Sequence, residues 1–450
     1  MNISDMISIV PHTSKPQNKF LSQFLPISCF FSGKANIKSL CRYGKISTRT
    51  AYRQIQKNFN FGRLNYKILE DQGILEHKII AAMDCSFLKK SGEHTENLGY
   101  FYDANQGKTV KGLEISGLAL IDLDQNTAYT LDTRLSPGIQ LKRERIAEIK
   151  TAHLERTRAS KELGDYQEIE VTSIRKNIYI HKKCSQCHRM IAYKTCDFCE
   201  KNETKIDFFL TQLKAHILIL KKITNHLVVD GFYAKQKFIN GSNDLDLHVI
   251  TKLRSDCNLK YLAEASDTKV LRRGAPKKYD GKFTISDLSR FEKINHQGFN
   301  LYAKVMYSPQ FQRPLKIVIV QKQDKYHHIL CSTDLTLSAQ EIFRSYSARF
   351  QIEYLFRDGK SHLGLGDAQV RKETALNFQN NVCLTALNLL KIEHRKHQME
   401  QEVISIFSYK QHRYNQFLID SVLSNLGRNP KFYKNQNWYI ALKNLGAISA

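Results

Sequence analysis

Two aspartates each follow a short apolar run: Asp84 closes Ile79-Ile80-Ala81-Ala82-Met83, and Asp230 closes Leu227-Val228-Val229. Such runs suit central strands covered on both faces, and an unpaired charge is costly to bury at a strand end. One aspartate after a strand is ordinarily a turn residue. Two of them, with a third carboxylate at Glu353, make a set that could hold Mg2+ or Mn2+, because hard divalent cations prefer carboxylate oxygens. Phosphodiester cleavage by two metals needs that donor set, converging on ions roughly 3.5–4 Å apart that activate the attacking oxygen and stabilise the leaving one. Asp84, Asp230 and Glu353 are therefore the candidate catalytic residues and metal ligands.

Glu353 stands in a pattern of its own, Tyr346-x2-Arg349-x3-Glu353-x6-Lys360. At about 100° per residue, one helix carrying all four would set Arg349, Glu353 and Lys360 in a stripe roughly 40° wide, with Tyr346 close by. Ser338-Ala339-Gln340-Glu341 is a capping box that would open that helix, and Lys360 keeps its phase only if the helix continues past Gly359. Arg and Lys can hold phosphates, and Tyr can stack on a base or bond a phosphate. A solvated face accounts for part of the pattern, since Arg349 and Glu353 are also spaced as an i,i+4 ion pair.

A second constellation is Cys184-Ser-Gln-Cys187 followed by Cys196-Asp-Phe-Cys199. Four thiolates in two such pairs can close a tetrahedral Zn2+ site, and four cysteines leave no open position for catalysis, so this zinc would be structural. A redox pair is the alternative use, and His181 or His188 could replace a thiolate. Lys182, Lys183, Arg189 and Lys194 surround the knuckles and point the insert towards DNA or a second protomer. The other six cysteines, Cys29, Cys41, Cys85, Cys257, Cys331 and Cys383, sit among apolar neighbours and read as packing residues.

These side chains need a frame, and the texture of the chain divides it. Residues 1–75 read as an N-terminal helical DNA-binding unit. Within it, a short helix over 35–42, a turn at Tyr43-Gly44-Lys45 and a second helix capped by Ser47 resemble a helix-turn-helix whose second helix offers Arg49, Arg53, Gln54 and Lys57. Residues 76–253 begin an α/β core, with strands at 113–123 and 127–133, a charged helix at 140–163, the cysteine-rich insert at about 168–204, and an amphipathic helix at 206–220. Residues 254–335 alternate strand signals, at 283–285, 301–307, 315–320 and 328–331, with polar turns, and read as a β-rich insertion. Residues 336–400 return to the core with the glutamate helix and a second amphipathic helix at 370–395. The basic tail, 401–450, has no function legible in its sequence.

The spacing Tyr346/Arg349/Glu353/Lys360, matched without a gap, resembles the signature of bacterial insertion-sequence transposases of the DDE class, the YREK type. Other blocks fit the same family: Asp84-Cys85-Ser86 with Lys90-Ser91-Gly92, Val229-Asp230-Gly231-Phe232-Tyr233-Ala234, Thr251-Lys252-Leu253-Arg254, and Gly274-Ala275-Pro276-Lys277-Lys278-Tyr279. The resemblance covers roughly 77–395. It implies a ribonuclease-H-like mixed sheet flanked by helices, with Asp84, Asp230 and Glu353 as Mg2+ ligands and a β insertion before the glutamate helix. It also implies that Tyr346, Arg349 and Lys360 handle the transposon end. The cysteine-rich insert departs from the family pattern, and its role cannot be carried over.

The bulk charge agrees with a nucleic-acid partner. The chain holds 68 Lys+Arg against 43 Asp+Glu, a formal +25, and a cation of that size self-repels unless a polyanion is present. No apolar run approaches the ~20 residues that span a bilayer, and the N-terminus lacks a signal-type apolar core. The expectation is a cytoplasmic, nucleoid-associated bacterial enzyme acting on terminal inverted repeats and target DNA, as a homodimer when assembled on DNA. A non-catalytic zinc-containing DNA-binding regulator would explain the charge, the helix pair and the knuckles. It gives no reason for two strand-ending aspartates beside the Tyr/Arg/Glu/Lys stripe. A plain nuclease with the same core is the third reading.

Overall fold

The computed structural model describes residues 3–103, 106–137, 170–174, 177–183, 190–191, 204–263, 277–322, 325–400 and 405–446. The chain opens with α1 (Ile3–Ser8), α2 (Lys15–Phe30), α3 (Ile37–Tyr43), α4 (Thr48–Gln54) and α5 (Phe61–Asp71). The strands β1 (Ile79–Lys89), β2 (Gly99–Asp103), β3 (Lys108–Asp122) and β4 (Thr127–Leu135) follow. A separate small sheet holds β5 (Glu170–Ile174), β6 (Asn177–Lys183) and β7 (Met190–Ile191). Next come α6 (Lys205–Leu220), β8 (His226–Val229), α7 (Gln236–Asn243) and β9 (His248–Leu253). Among the described residues the next elements are all strands: β10 (Lys260–Leu262), β11 (Tyr279–Lys282), β12 (Glu292–His296), β13 (Phe299–Ser308), β14 (Arg313–Lys322) and β15 (Lys325–Ser332). The chain then turns helical, with α8 (Ala339–Ala348), α9 (Phe350–His362), α10 (Glu373–Glu400), α11 (Ile406–Asn425) and α12 (Asn437–Lys443).

At the centre of the main sheet the strands run in the order β4-β3-β1-β8-β9. β3 is antiparallel to both β1 and β4, whereas β8 is parallel to β1 and β9 is parallel to β8. The apolar runs at 79–83 and 227–229 become the two innermost strands, since a strand with helices over both faces must be apolar on both. Helices flank this mixed sheet, and the architecture is consistent with the ribonuclease-H-like fold that the resemblance implies.

Several elements differ from the sequence expectations. β1 does not end at Asp84: it continues to Lys89, paired with β3 along its whole length. The polar half of β1 hid this extension, because its residues pair with β3 without being buried on both faces. The short strands β2 and β10 and the mostly polar β12 were not read in the sequence, and 283–285 lies just beyond β11. The β-rich insertion joins the main sheet: β15 pairs antiparallel with β9, and the ladder continues into a sheet of 12 strands. In the N-terminal unit α4 stops at Gln54, short of Lys57, and Gln54 is 1% exposed, so it cannot face a partner. The expected helix at 140–163 and all four cysteines of the knuckles lie outside the described residues.

Among the described residues β4 pairs with β3 alone, which leaves one side of its backbone without a strand partner. α10 closes it with asparagines. Asn377 accepts from the Leu135 amide at 2.8 Å, and Asn381 accepts from Thr133 N at 2.9 Å while donating to Thr133 O at 2.7 Å. Asn388 does the same at Thr130, at 2.9 Å in each direction, and also donates to Asn65 of α5 at 3.1 Å. A covered edge cannot pair with another chain, and the buried backbone groups here find in α10 the partners they need.

α2 and α5 pack on α10, and residues from α1 to α10 share one hydrophobic core. The tail joins them: Phe30 of α2 lies against Phe417 of α11 with ring centroids 4.8 Å apart, and Tyr43 meets Tyr414 at 3.2 Å between hydroxyls.

Candidate active site

Register places the two aspartates. In the parallel pairing of β1 with β8, Met83 lies opposite Val229, so the next residues along the two strands are Asp84 and Asp230. Neighbouring strands run about 4.8 Å apart, which sets both side chains at one end of the parallel pair. Asp230 ends β8 and caps the short 3-10 turn Gly231–Tyr233, its carboxylate accepting from the Gly231 amide. Thr251 of β9 donates to the Asp230 carbonyl at 3.0 Å and fixes the backbone there.

The third carboxylate arrives on a helix. The capping box at Ser338 and Glu341 is formed in full, and α8 runs into α9 with a single tightened step at Arg349, whose amide bonds to Tyr346 O and whose carbonyl accepts from Ile352 N. α9 continues past Gly359 to His362, so Lys360 stays on the helix. Ile352, Leu355 and Phe356 form the buried face of α9. Phe356 lies over Gly117, the β3 residue paired with Asp84, and a Cβ at Gly117 would stand 2.6 Å from the Phe356 ring. That glycine lets α9 approach the sheet beside Asp84.

Arg349 ties the carboxylates together. One guanidinium nitrogen donates to Asp84 at 2.9 Å and the other meets Glu353 at 2.8 Å. Asp84 also accepts from the Cys85 amide at 2.8 Å. Burial pushes the Asp84 carboxyl up to about 6; Arg349 and the Cys85 amide pull it down, and the charges of Asp230 and Glu353 push it further up. Asp230 and Glu353 thus lie near enough for their charges to act on Asp84. The three carboxylates do not form a ligand cluster: among the described residues no three His, Cys, Asp or Glu side chains converge closely enough to hold an ion. The guanidinium bridges Asp84 and Glu353 instead.

The chemistry of the donor set nonetheless suits a hard divalent cation, since three carboxylates at one sheet end provide oxygen ligands only. Arg349 is buried and Asp84 half-buried, whereas Glu353 is exposed with 45% of its side chain accessible, so an approach from solvent is open on its side.

The other sequence-selected residues are placed unevenly. Tyr346 is buried, with its ring edge-on to His328 at 6.2 Å and beneath the Arg349 guanidinium at 5.7 Å. It is not a free stacking surface in this state. Burial raises its hydroxyl above the ordinary tyrosine value, and Asp230 and Asp84 push the same way. Arg349 likewise faces the carboxylates where a DNA-facing position was expected. Lys360 is exposed on α9, and Arg49 and Arg53 are exposed on α4. Cys85 packs with its thiol 3.4 Å from the Tyr233 hydroxyl, and all six described cysteines are free.

Three exposed aromatic rings lie near the carboxylates: Phe232, two residues after Asp230 and read in the sequence only as part of a motif block, and Phe350 and Tyr354 beside Arg349 and Glu353, which the sequence reading missed. Phe232 carries the ammonium groups of Lys205 at 5.4 Å and Lys235 at 6.0 Å over its ring. The only sequence signal was position: each lies next to a candidate carboxylate or its partner.

The mixed sheet and its flanking helices are consistent with a ribonuclease-H-like core. Residues 190–389 match the family model described as Transposase DDE domain, a span that includes Asp230, Arg349, Glu353 and Lys360 and begins after Asp84. Over these residues the match supports an insertion-sequence DDE transposase. No curated protein matches it.

Proposed function

We propose that this transposase cuts DNA at the ends of its element and joins them to target DNA, with Asp84, Asp230 and Glu353 as the catalytic carboxylates. One observation carries the reading: the β1–β8 register sets Asp84 beside Asp230, and Arg349 links Asp84 to Glu353. Mg2+ or Mn2+ held by these three side chains would activate the attacking oxygen and stabilise the leaving one. Asp84 and Asp230 anchor the site on rigid strands. Glu353, the most accessible of the three, comes from a helix that can shift slightly on the sheet. Arg349 neutralises two carboxylates in the present arrangement. Once another cation does so, its guanidinium is free to turn to a phosphate, and bidentate phosphate binding is what that group does best.

Tyr346, Arg349 and Lys360 complete a YREK-type set for the transposon end, with Lys360 already exposed. Arg49 and Arg53 on α4 are the DNA-facing residues of the N-terminal helix pair. Two copies would assemble on paired ends. Cys184, Cys187, Cys196 and Cys199 are proposed as a structural Zn2+ site, a reading supported by their spacing and by the pairing of β6 with β7 on either side of 184–189.

The test is cleavage of a plasmid bearing the element's own flanking repeats, with Mg2+ present. The regulator reading predicts binding without metal-dependent cleavage in the wild type and in every variant.

A further inference from the structure

The strongly basic cleft at the far end of β1 is unused by the reading above. Three segments enclose a space of about 630 Å³: Lys34 after α2, the loop after β1 with Lys89, Lys90 and Glu93, and the segment after α9 with Asp367 and Arg371. Four cations thus face two carboxylates. Asp367 is already engaged, accepting from the Ala35 amide at 3.0 Å, and among the described residues none of the four cations is held in an ion pair. Burial, and after it the nearby charge of Lys34, hold the Lys90 ammonium below the ordinary lysine value. Like charges held together in a cleft attract an anion.

The cleft is a built feature. Lys90 donates to the Ala368 carbonyl, the Glu96 amide donates to Arg371 O at 2.9 Å, and the Glu373 amide donates to the Glu96 carboxylate at 2.6 Å. Gly92 and Gly366 hold φ values of +107° and +106°, where a side chain would be strained.

Its place in the fold identifies the anion. β1 leads from Asp84 to Lys89 and α9 leads from Glu353 past Lys360 to the same cleft, and Leu88 packs 3.8 Å from where a Cβ of Gly366 would lie. Five strand residues cover about 17 Å, on the order of five base-pair steps at ~3.4 Å each. We propose that this cleft grips backbone phosphates of the DNA several nucleotides from the bond being cut, holding the duplex in line with the carboxylates. That the anion is DNA rests on the function proposed above; the cleft's affinity for a phosphodiester chain does not.

The experiment measures binding of full-length protein to a fluorescein-labelled random-sequence duplex, without divalent metal, across a salt series. Lys34→Gln/Lys89→Gln/Arg371→Gln should weaken binding at least tenfold and flatten the log–log salt slope by roughly 2–3, at ~0.9 for each phosphate no longer neutralised. The charge-keeping Lys34→Arg/Lys89→Arg/Arg371→Lys should retain the wild-type slope, and Lys34→Gln alone should cost about one unit. Lys214→Gln/Lys222→Gln, exposed cations elsewhere, serves as the control. An unchanged slope in the triple glutamine variant, or an equal loss per charge in the control, overturns the proposal. Mg2+-dependent cleavage is scored separately in the wild type. Cleavage with no slope effect sinks the cleft alone, and a slope effect without any cleavage sinks the proposed reaction while the cleft stands.

Discussion

Asp84 is held against its own charge. With its carboxyl pushed up to about 6 from an ordinary 3.8, the folded protein binds this proton more tightly than the unfolded chain does. The favourable contribution is complete below about pH 4 and is lost as pH rises through about 6. At pH 7, without divalent metal, the ionised carboxylate therefore costs stability. Asp84→Asn should raise the unfolding free energy at pH 7 by about 1–3 kcal/mol, and the gain should vanish below pH 4; urea unfolding at the two pH values measures it. A destabilised asparagine variant at pH 7 would mean that the Arg349 pair, not burial, governs this side chain. Arg349 supports a companion prediction. Its guanidinium bridges Asp84 and Glu353, so a divalent cation must compete with it. Arg349→Ala should be less stable than the wild type in chelator and should gain more in melting temperature from added Mg2+. Equal gains would mean that the guanidinium does not occupy the cation's place.

At the level of elements, the edge of β4 depends on α10. Asn388 makes bonds to both backbone groups of Thr130 and to Asn65. Asn388→Leu should cost about 2–3 kcal/mol, since buried groups lose their partners, read as a lower urea midpoint with little change in slope. Ser338→Ala removes half of the capping box at the start of α8, the helix that leads into α9 and Glu353, and should cost about 1 kcal/mol. The capping box and the apolar strand cores were legible because each is a local pattern of a few neighbouring residues. The Arg349–Glu353 pair was legible for the same reason, its partners one helical turn apart. The Arg349–Asp84 half was not, because 265 residues separate its partners. Long-range pairing also hid the union of the β insertion with the main sheet through β9 and β15, and the role of the α10 asparagines, whose partners on β4 lie more than 240 residues away.

For the molecule as a whole, charge, zinc and cleavage are separable properties. The formal +25 requires a steep salt dependence of DNA binding. The cysteine pairs predict about one Zn2+ per purified chain, lost in Cys184→Ser or Cys196→Ser; metal-free protein of wild-type stability would contradict that site. Neither property distinguishes a transposase from a regulator, because both proteins would bind DNA and both could be held together by zinc. The carboxylates do. The most direct measurement is single-strand nicking at the element's own ends, in Mg2+, by the wild type, Asp84→Asn, Asp230→Asn and Glu353→Gln at matched DNA occupancy. The account predicts nicking by the wild type and background rates for all three variants, with their DNA affinity nearly intact. Nicking by any one of the three at close to the wild-type rate would contradict it.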